Sequence, residues 1–325
     1  MKALVYDGVE TLTFRDVPDP VPAPGEQLIR VEASGICGSD MHAYLGHDAR
    51  RPAPLILGHE AAGTVQGGPM DGTRVTINPL VACGACPACL AGRENLCPKR
   101  QIISMQPREG AFAEYVTLPE SNLVVVPDTV PLGKAALTEP LAVSWHAVVL
   151  ATQALHPTSE RCALVIGGGA IGLAAALALK AMNVPDVTIV EPNTVRRAFL
   201  VETGEHAVAE ASGLFPLVID AVGYAATRAT ASALAAPGGV IAHVGLGEDA
   251  GGLDVRRMTL QEITFIGTYT YTAQDFRDTA QAIFDGRLGP LDWTQTRTLS
   301  EGAQAFADLR AGKVAAPKIV LTPWA

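Results

Sequence analysis

From residue 163 the chain reads Ala163-Leu164-Val165-Ile166, then Gly167-Gly168-Gly169-Ala170-Ile171-Gly172, then an alanine- and leucine-rich run to Met182. Val187-Thr188-Ile189-Val190 follows and ends in Glu191. The first apolar run reads as a strand, the glycines as a tight turn, the Ala/Leu run as a helix and the last run as a second strand. Few folds accept that order, because two parallel strands joined by a helix close only as a right-handed crossover. A helix that begins directly behind a side-chain-poor turn offers backbone N–H groups and partial positive charge to an anion. Glu191, nineteen residues after Gly172, stands where such a unit keeps an acid for a ribose. The expectation is a dinucleotide cradle, with Gly167, Gly169, Ala170, Ile171 and Gly172 at the pyrophosphate and Glu191 accepting from both adenosine ribose hydroxyls. A carboxylate there repels a 2′-phosphate, which favours NAD over NADP. Arg196 and Arg197 lie close enough to pull the other way, and Arg196 joins the cofactor-binding set.

The same stretch, residues 162–179, is the longest uncharged apolar run and raises the question of a membrane span. Four glycines and the strand–turn–helix reading answer it in favour of a soluble fold. Further strands are expected at 217–220, 239–244 and 263–267, with helices such as 225–236 between them, completing a doubly wound parallel sheet. Residues 207–209 fit a third strand, but the link 210–215 is too short for a crossover helix, so the sheet is trimmed there.

Upstream, residues 2–7 and 27–33 read as strands and the proline-rich 18–24 as a loop. Short β-branched runs and turn residues continue to about residue 126. Pro140 suits the first turn of a helix over 141–155, and from about 269 the chain returns to the first domain with helices at 276–284 and 303–311 and a closing strand at 318–321. The class is therefore α/β in two domains, 1–140 plus 269–325 and 141–268. A chain of 325 residues with 48% apolar content can bury cores of that size.

Net charge is −9 and no basic run appears, so nucleic acid and anionic membrane are not expected partners. The opening MKALVYDG lacks the pattern of a signal peptide, and the expected location is cytoplasmic. Four of six cysteines fall in Cys83-x2-Cys86-x2-Cys89-x7-Cys97. In a reducing compartment such spacing binds metal rather than forming disulfides. Four thiolates on one loop enclose zinc with no position left for water, so the site at about 80–100 is structural. Gly84, Pro87, Gly92 and Pro98 let the backbone fold back between ligands. Four reduced thiols that never meet a metal are the alternative.

Gly58-His59-Glu60 and Gly35-Ile36-Cys37 offer a nitrogen, an oxygen and a sulfur donor, few enough to leave one position open on a metal. Taken singly, Cys37 also reads as a small buried hydrophobe and His59 as a satisfied histidine. Glu139 reads either as a carboxylate aimed into a cleft or as a helix cap, and His42 also reads as a surface histidine beside Tyr44 and His47.

Together these motifs resemble the zinc-dependent medium-chain dehydrogenase/reductase family, especially its alcohol, polyol (sorbitol-like) and threonine dehydrogenase branches, over essentially the whole chain. The resemblance implies a GroES-like catalytic domain interrupted by a Rossmann domain, two zinc ions per chain, NAD as cofactor, a small-molecule alcohol as substrate and a homodimer or homotetramer. It also implies that Cys37 and His59 hold the catalytic zinc, with Glu60 or Glu139 standing in for a second thiolate. Asp40 resembles the acid that fixes the His59 ring. Ser39 and His42 resemble a proton relay from the alcohol to solvent. The chain departs from the polyol pattern at Thr268-Tyr269-Thr270-Tyr271-Thr272, which lacks an arginine, and at Ala43, which stands where those enzymes carry an aromatic. Residues 66–72 make a shorter loop than usual. The implied activity is hydride transfer between a secondary alcohol and NAD. A primary-alcohol dehydrogenase running as an aldehyde reductase and a binding protein without turnover are the rivals.

Overall fold

The computed structural model describes residues 1–324. The chain divides into two compact units, Met1–Glu139 with Thr272–Gly286 and Pro290–Ala325, and Pro140–Tyr271 with Arg287–Gly289. The dividing point falls inside the helix Thr138–Ala154, which starts before the expected first turn at Pro140 and so takes Glu139 into its own first turn.

The first unit is organised on the strand Glu26–Gly35. Ile29, Val31 and Ala33 turn inward while Arg30 and Glu32 stay partly exposed, the period-two pattern of a half-buried strand. It pairs antiparallel with Glu60–Gln66, Tyr115–Pro119 and Lys318–Thr322. The sheet runs in the order Leu123–Val125, Arg74–Ile77, Glu60–Gln66, Glu26–Gly35, Lys318–Thr322, Thr294–Thr298. One face buries Ile29, Val65, Val75, Ile77, Val116 and Leu118. A second core, under the small sheet of Thr11–Asp16, Lys2–Gly8 and Leu55–Ile56, gathers Leu4, Tyr44, Phe112 and Phe306. The register sets Gly35 opposite Glu60. A Cβ at Gly35 would lie 2.1 Å from Glu60 Oε2, so glycine is what lets that carboxylate sit against the strand.

Thr11–Asp16 and Thr294–Thr298 are strands that the residue pattern does not announce. TQTRT at 294–298 has no apolar alternation, and it is a strand because its neighbour Lys318–Thr322 supplies the ladder. Cys37 is the N-cap residue of a short helix, Gly38–Tyr44, within the stretch expected to hold short β-branched runs and turns.

The second unit is a six-stranded parallel sheet in the order Ala207–Val208, Asp186–Val190, Cys162–Ile166, Phe215–Asp220, Ala235–His243, Thr264–Gly267. Numbered along the chain that is 3-2-1-4-5-6, so the order reverses between Cys162–Ile166 and Phe215–Asp220. Ligands of such sheets sit at the carboxyl ends of the strands beside that reversal. Leu164, Ile166, Val218 and Ile241 form part of the buried centre. The third strand has only two residues, and no helix links it to Phe215–Asp220. The run 162–179 is strand and helix, Cys162–Ile166 and Ala170–Ala181. Among the described residues, Leu132–Ala154 is the one helical stretch long and apolar enough to cross a membrane, and 78% of its apolar window is buried in the fold.

Candidate metal centre and dinucleotide cradle

The metal centre is built where two strand ends meet a helix start. Cys37 follows the strand Glu26–Gly35 and adopts an extended backbone (φ −91°, ψ 155°) as N-cap of Gly38–Tyr44. Its N–H donates to Asp40 Oδ2 at 3.0 Å. The other oxygen of that buried carboxylate accepts from Gly58 N–H at 3.3 Å and lies 3.3 Å from His59 Nδ1. Asp40 thereby ties both ligand-bearing segments together. Burial pushes the Asp40 carboxyl up, but His59 and then Arg51 outweigh it and hold the group below the usual carboxylate range. Burial likewise opposes a charge on His59, and the Asp40 and Cys37 charges override it and raise the imidazole well above its ordinary value.

The Cys37 sulfur, a His59 ring nitrogen and a Glu60 oxygen lie within 4.8 Å of one another. Glu60 is fully buried, with Oε1 2.6 Å from Lys318 Nζ and Oε2 without a hydrogen-bond partner among the described residues. A buried carboxylate oxygen with no hydrogen-bond partner carries a desolvation cost even when the charge is balanced by a lysine. Its position beside a thiol and an imidazole is where a cation would relieve that cost. One sulfur, one nitrogen and one oxygen are the mixed donor set that suits zinc, and three protein ligands leave a fourth tetrahedral position. The residues present fit a catalytic zinc.

Lys318, only 3% exposed, also donates to Ile36 O at 2.9 Å. Burial lowers its affinity for a proton, but the charges of Glu60 and Cys37 prevail and hold it above the ordinary lysine value. Nothing in the sequence singles it out except a charge at the head of an apolar strand.

Ser39 Oγ lies 3.5 Å from His59 Nε2. His42 is exposed, one helical turn beyond Ser39, with its ring edge-on to His47 at 6.4 Å. Glu139 is buried in the first turn of its helix, and it is not part of the converging set. The structure thus assembles Cys37, His59, Glu60 and Asp40, with Ser39 at their edge. Arg51 and Ser104, absent from the sequence reading, stand behind His59.

The four-cysteine lobe is closed at its base by the two-stranded ladder of Leu80–Val81 and Gln101–Ile102. The sulfurs of Cys83, Cys86, Cys89 and Cys97 lie within 4.8 Å of one another. Backbone N–H groups of Ala85 and Cys86 bring the Cys83 thiol down to about 6, whereas burial and then Cys86 push Cys89 up to about 12. Four thiols so crowded cannot all ionise alone, and a zinc ion removes that conflict.

In the second unit Gly167 takes φ +97°, and a Cβ on Gly172 would meet Gly167 O at 1.7 Å, so the turn and helix touch backbone to backbone. Among the described residues, Gly169 as N-cap offers the helix Ala170–Ala181 no side-chain cap, which leaves its first N–H groups for an anion. Glu191 is 3% exposed at the end of the second strand. Its Oε2 accepts from Gly168 N–H at 3.0 Å and Arg196 Nη1 at 3.1 Å, and its Oε1 from Asn193 N–H at 2.8 Å. The acid is braced against the glycine turn, and Arg196 is its ion partner.

Residues 23–128 match the family described as alcohol dehydrogenase GroES-like domain, and residues 170–285 match zinc-binding dehydrogenase. The L-galactonate-5-dehydrogenase of Escherichia coli (strain K12) is 30% identical over 308 residues, covering 89% of this chain and 88% of its own. The chain belongs to the zinc-dependent medium-chain dehydrogenase/reductase family. Its first unit is the GroES-like domain of that family and its second the Rossmann domain. An alcohol dehydrogenase of Escherichia coli CFT073 complexed with NADH superposes on this family member with TM-score 0.89 at 26% identity, covering 99% of each chain. A structure from Sinorhizobium meliloti 1021 bound to NADP gives 0.88 at 27%, again over 99% of each.

Proposed function

We propose that this dehydrogenase oxidises a secondary alcohol, of the polyol or sugar-alcohol class, with NAD. The observation that carries the reading is the unpartnered Glu60 oxygen beside Cys37 and His59, in a chain whose other unit holds a glycine cradle and a braced acid. When bound, zinc supplies Lewis-acid polarisation of an alcohol oxygen and NAD supplies the ring that accepts hydride. Cys37, His59 and Glu60 hold the metal, with Glu139 the alternative carboxylate. Asp40 keeps the His59 ring turned, Ser39 takes the alcohol proton, and His42 hands it to water. Gly167, Gly169, Ala170, Ile171 and Gly172 seat the pyrophosphate. Glu191, held in place from three sides, favours a free 2′-hydroxyl over a 2′-phosphate.

The similarity to L-galactonate-5-dehydrogenase supports a secondary hydroxyl on a polyhydroxy chain. The same reading includes a homodimer or homotetramer in the cytoplasm, which size-exclusion chromatography with light scattering and cell fractionation test. The deciding experiment is metal analysis of protein purified without chelators, followed by a panel of polyols, secondary alcohols, hydroxy-amino acids and ethanol with NAD and NADP, read by nicotinamide absorbance. Two zinc ions per chain and NAD reduction by polyols but not ethanol are expected. A chain that binds NADH and turns over none of the panel is a binding protein and sinks the proposal.

A further inference from the structure

Behind His59 lies an arrangement that zinc ligation alone does not call for. Two oxygens face the same ring nitrogen: Asp40 Oδ1 at 3.3 Å and Ser104 Oγ at 3.4 Å from Nδ1. Ser104 is completely buried and holds φ +69°, the left-handed region in which a side chain costs free energy and glycine does not. A serine kept at a glycine-favouring position points to a use for its hydroxyl.

Arg51 is what holds that serine. Its guanidinium, 2% exposed with Arg51 overall, donates from Nε to Ser104 O at 3.0 Å and from Nη2 to Ser104 Oγ at 3.4 Å. Its Nη1 donates to Ser39 O at 2.7 Å and pairs with Asp48 Oδ2 at 3.3 Å. One planar fork therefore clamps the strained serine at two atoms and the Cys37-capped helix at a third. Burying a guanidinium is unfavourable unless its donors are placed. Here they are spent on the two segments that flank His59.

We infer that Arg51 and Ser104 are positioning residues for the metal-binding ring: Arg51 locks Ser104, and Ser104 with Asp40 accepts from Nδ1–H and turns Nε2 towards the metal. A ring that ligates through Nε2 needs its proton on Nδ1 and its rotation fixed, and outer partners of this kind set metal affinity. The inference rests on the zinc reading of Cys37, His59 and Glu60, and adds that the site's affinity is set partly from Arg51.

The test is cobalt(II) substitution of the full chain in wild type, Ser104→Gly and Arg51→Lys, with visible spectra and chelator competition. Ser104→Gly relieves the backbone, so it folds with a melting temperature no lower than wild type. Its catalytic-site cobalt is expected to bind about 10–100-fold more weakly, with altered d–d bands, while the four-sulfur spectrum of the lobe is unchanged. Arg51→Lys keeps the charge but loses the fork and is expected to shift the same bands in the same direction. Wild-type affinity and bands in Ser104→Gly overturn the inference and leave the zinc reading intact. Wild-type protein that takes up cobalt only in the lobe overturns the zinc reading and the inference with it.

Discussion

Lys318 Nζ and Glu60 Oε1 form a buried ion pair at 2.6 Å, both side chains at most 3% exposed, while Glu60 Oε2 has no hydrogen-bond partner among the described residues and one oxygen of the carboxylate lies within 4.8 Å of the Cys37 sulfur and a His59 ring nitrogen. The lysine balances the charge of the carboxylate, and the oxygen it does not bond is left for a cation. Lys318→Met leaves that charge buried and uncompensated, and breaking a buried pair from one side costs about 3–5 kcal/mol. Urea unfolding of zinc-free protein is expected to show that loss, and most of it is expected to return in Lys318→Met/Glu60→Gln. With the lysine gone, metal is the only neutralising charge, so chelation lowers the melting temperature of Lys318→Met more than that of wild type. Equal chelator effects in the two proteins contradict this role.

The parts of the site legible in the sequence are those whose residues lie close in the chain. Cys83 to Cys97 form one loop, and Gly167 to Glu191 one strand–turn–helix–strand unit, so spacing alone carries their chemistry. Cys37 and His59, each open to a bland reading taken singly, are legible only together with the dinucleotide motif further along the chain. Lys318 is not legible, since it is 258 residues from Glu60 and arrives only through antiparallel pairing of Lys318–Thr322 with Glu26–Gly35. Ser104 is equally hidden, because its meaning lies in a backbone angle. The placement of the Glu60 carboxylate depends on the register that sets it opposite Gly35, which no pattern along the chain reveals.

Cys37→Ala and His59→Ala are expected to abolish turnover while leaving NADH affinity nearly unchanged, because each removes a metal donor and neither touches the glycine cradle. Steady-state assays paired with NADH fluorescence titration check this. A large loss of NADH binding in either variant contradicts the separation of metal and cofactor chemistry between these residue sets.

Cys89→Ala is expected to fail first in stability. Structural zinc contributes about 10–16 kcal/mol of binding free energy to small zinc-dependent folds, and three thiols cannot close the shell. Glu94, within the lobe, accepts from Ala273 N–H at the start of the helix Ala273–Phe284, so loosening the lobe also frees that helix end. Differential scanning calorimetry is expected to show an early transition in Cys89→Ala, reproduced in wild type by a strong chelator.

Glu191→Ala removes an acceptor for the ribose and also the carboxylate that braces Gly168 N–H and Asn193 N–H. NAD affinity is expected to fall about tenfold, ~1.4 kcal/mol, and NADP affinity to fall less because Arg196 loses its ion partner. Titration with both cofactors reads the change in preference. An unaltered NAD/NADP ratio means that the 2′ position is recognised elsewhere.

Asp220 makes the acid stability of the second unit a specific expectation. It is fully buried at the end of the strand Phe215–Asp220, accepts from Val222 and Gly223 N–H at 3.0 and 2.9 Å and from the Thr227 hydroxyl at 3.0 Å, and pairs with His243 Nδ1 at 3.2 Å. Burial pushes its carboxyl up, but His243 and then the Gly223 and Val222 N–H groups outweigh it and bring the group below the usual carboxylate range. A folded value below the unfolded one means the ionised group stabilises above about pH 4, and that stabilisation is lost as pH falls through the folded value. Asp220→Asn keeps one oxygen for the turn but places an amide towards Thr227 and His243, so about 1–3 kcal/mol is expected to be lost at neutral pH. Chemical denaturation from pH 7 to pH 3 is expected to show wild type losing its advantage and the two proteins converging at the acid end. A gap that stays constant across that range means the contribution of Asp220 does not depend on its charge.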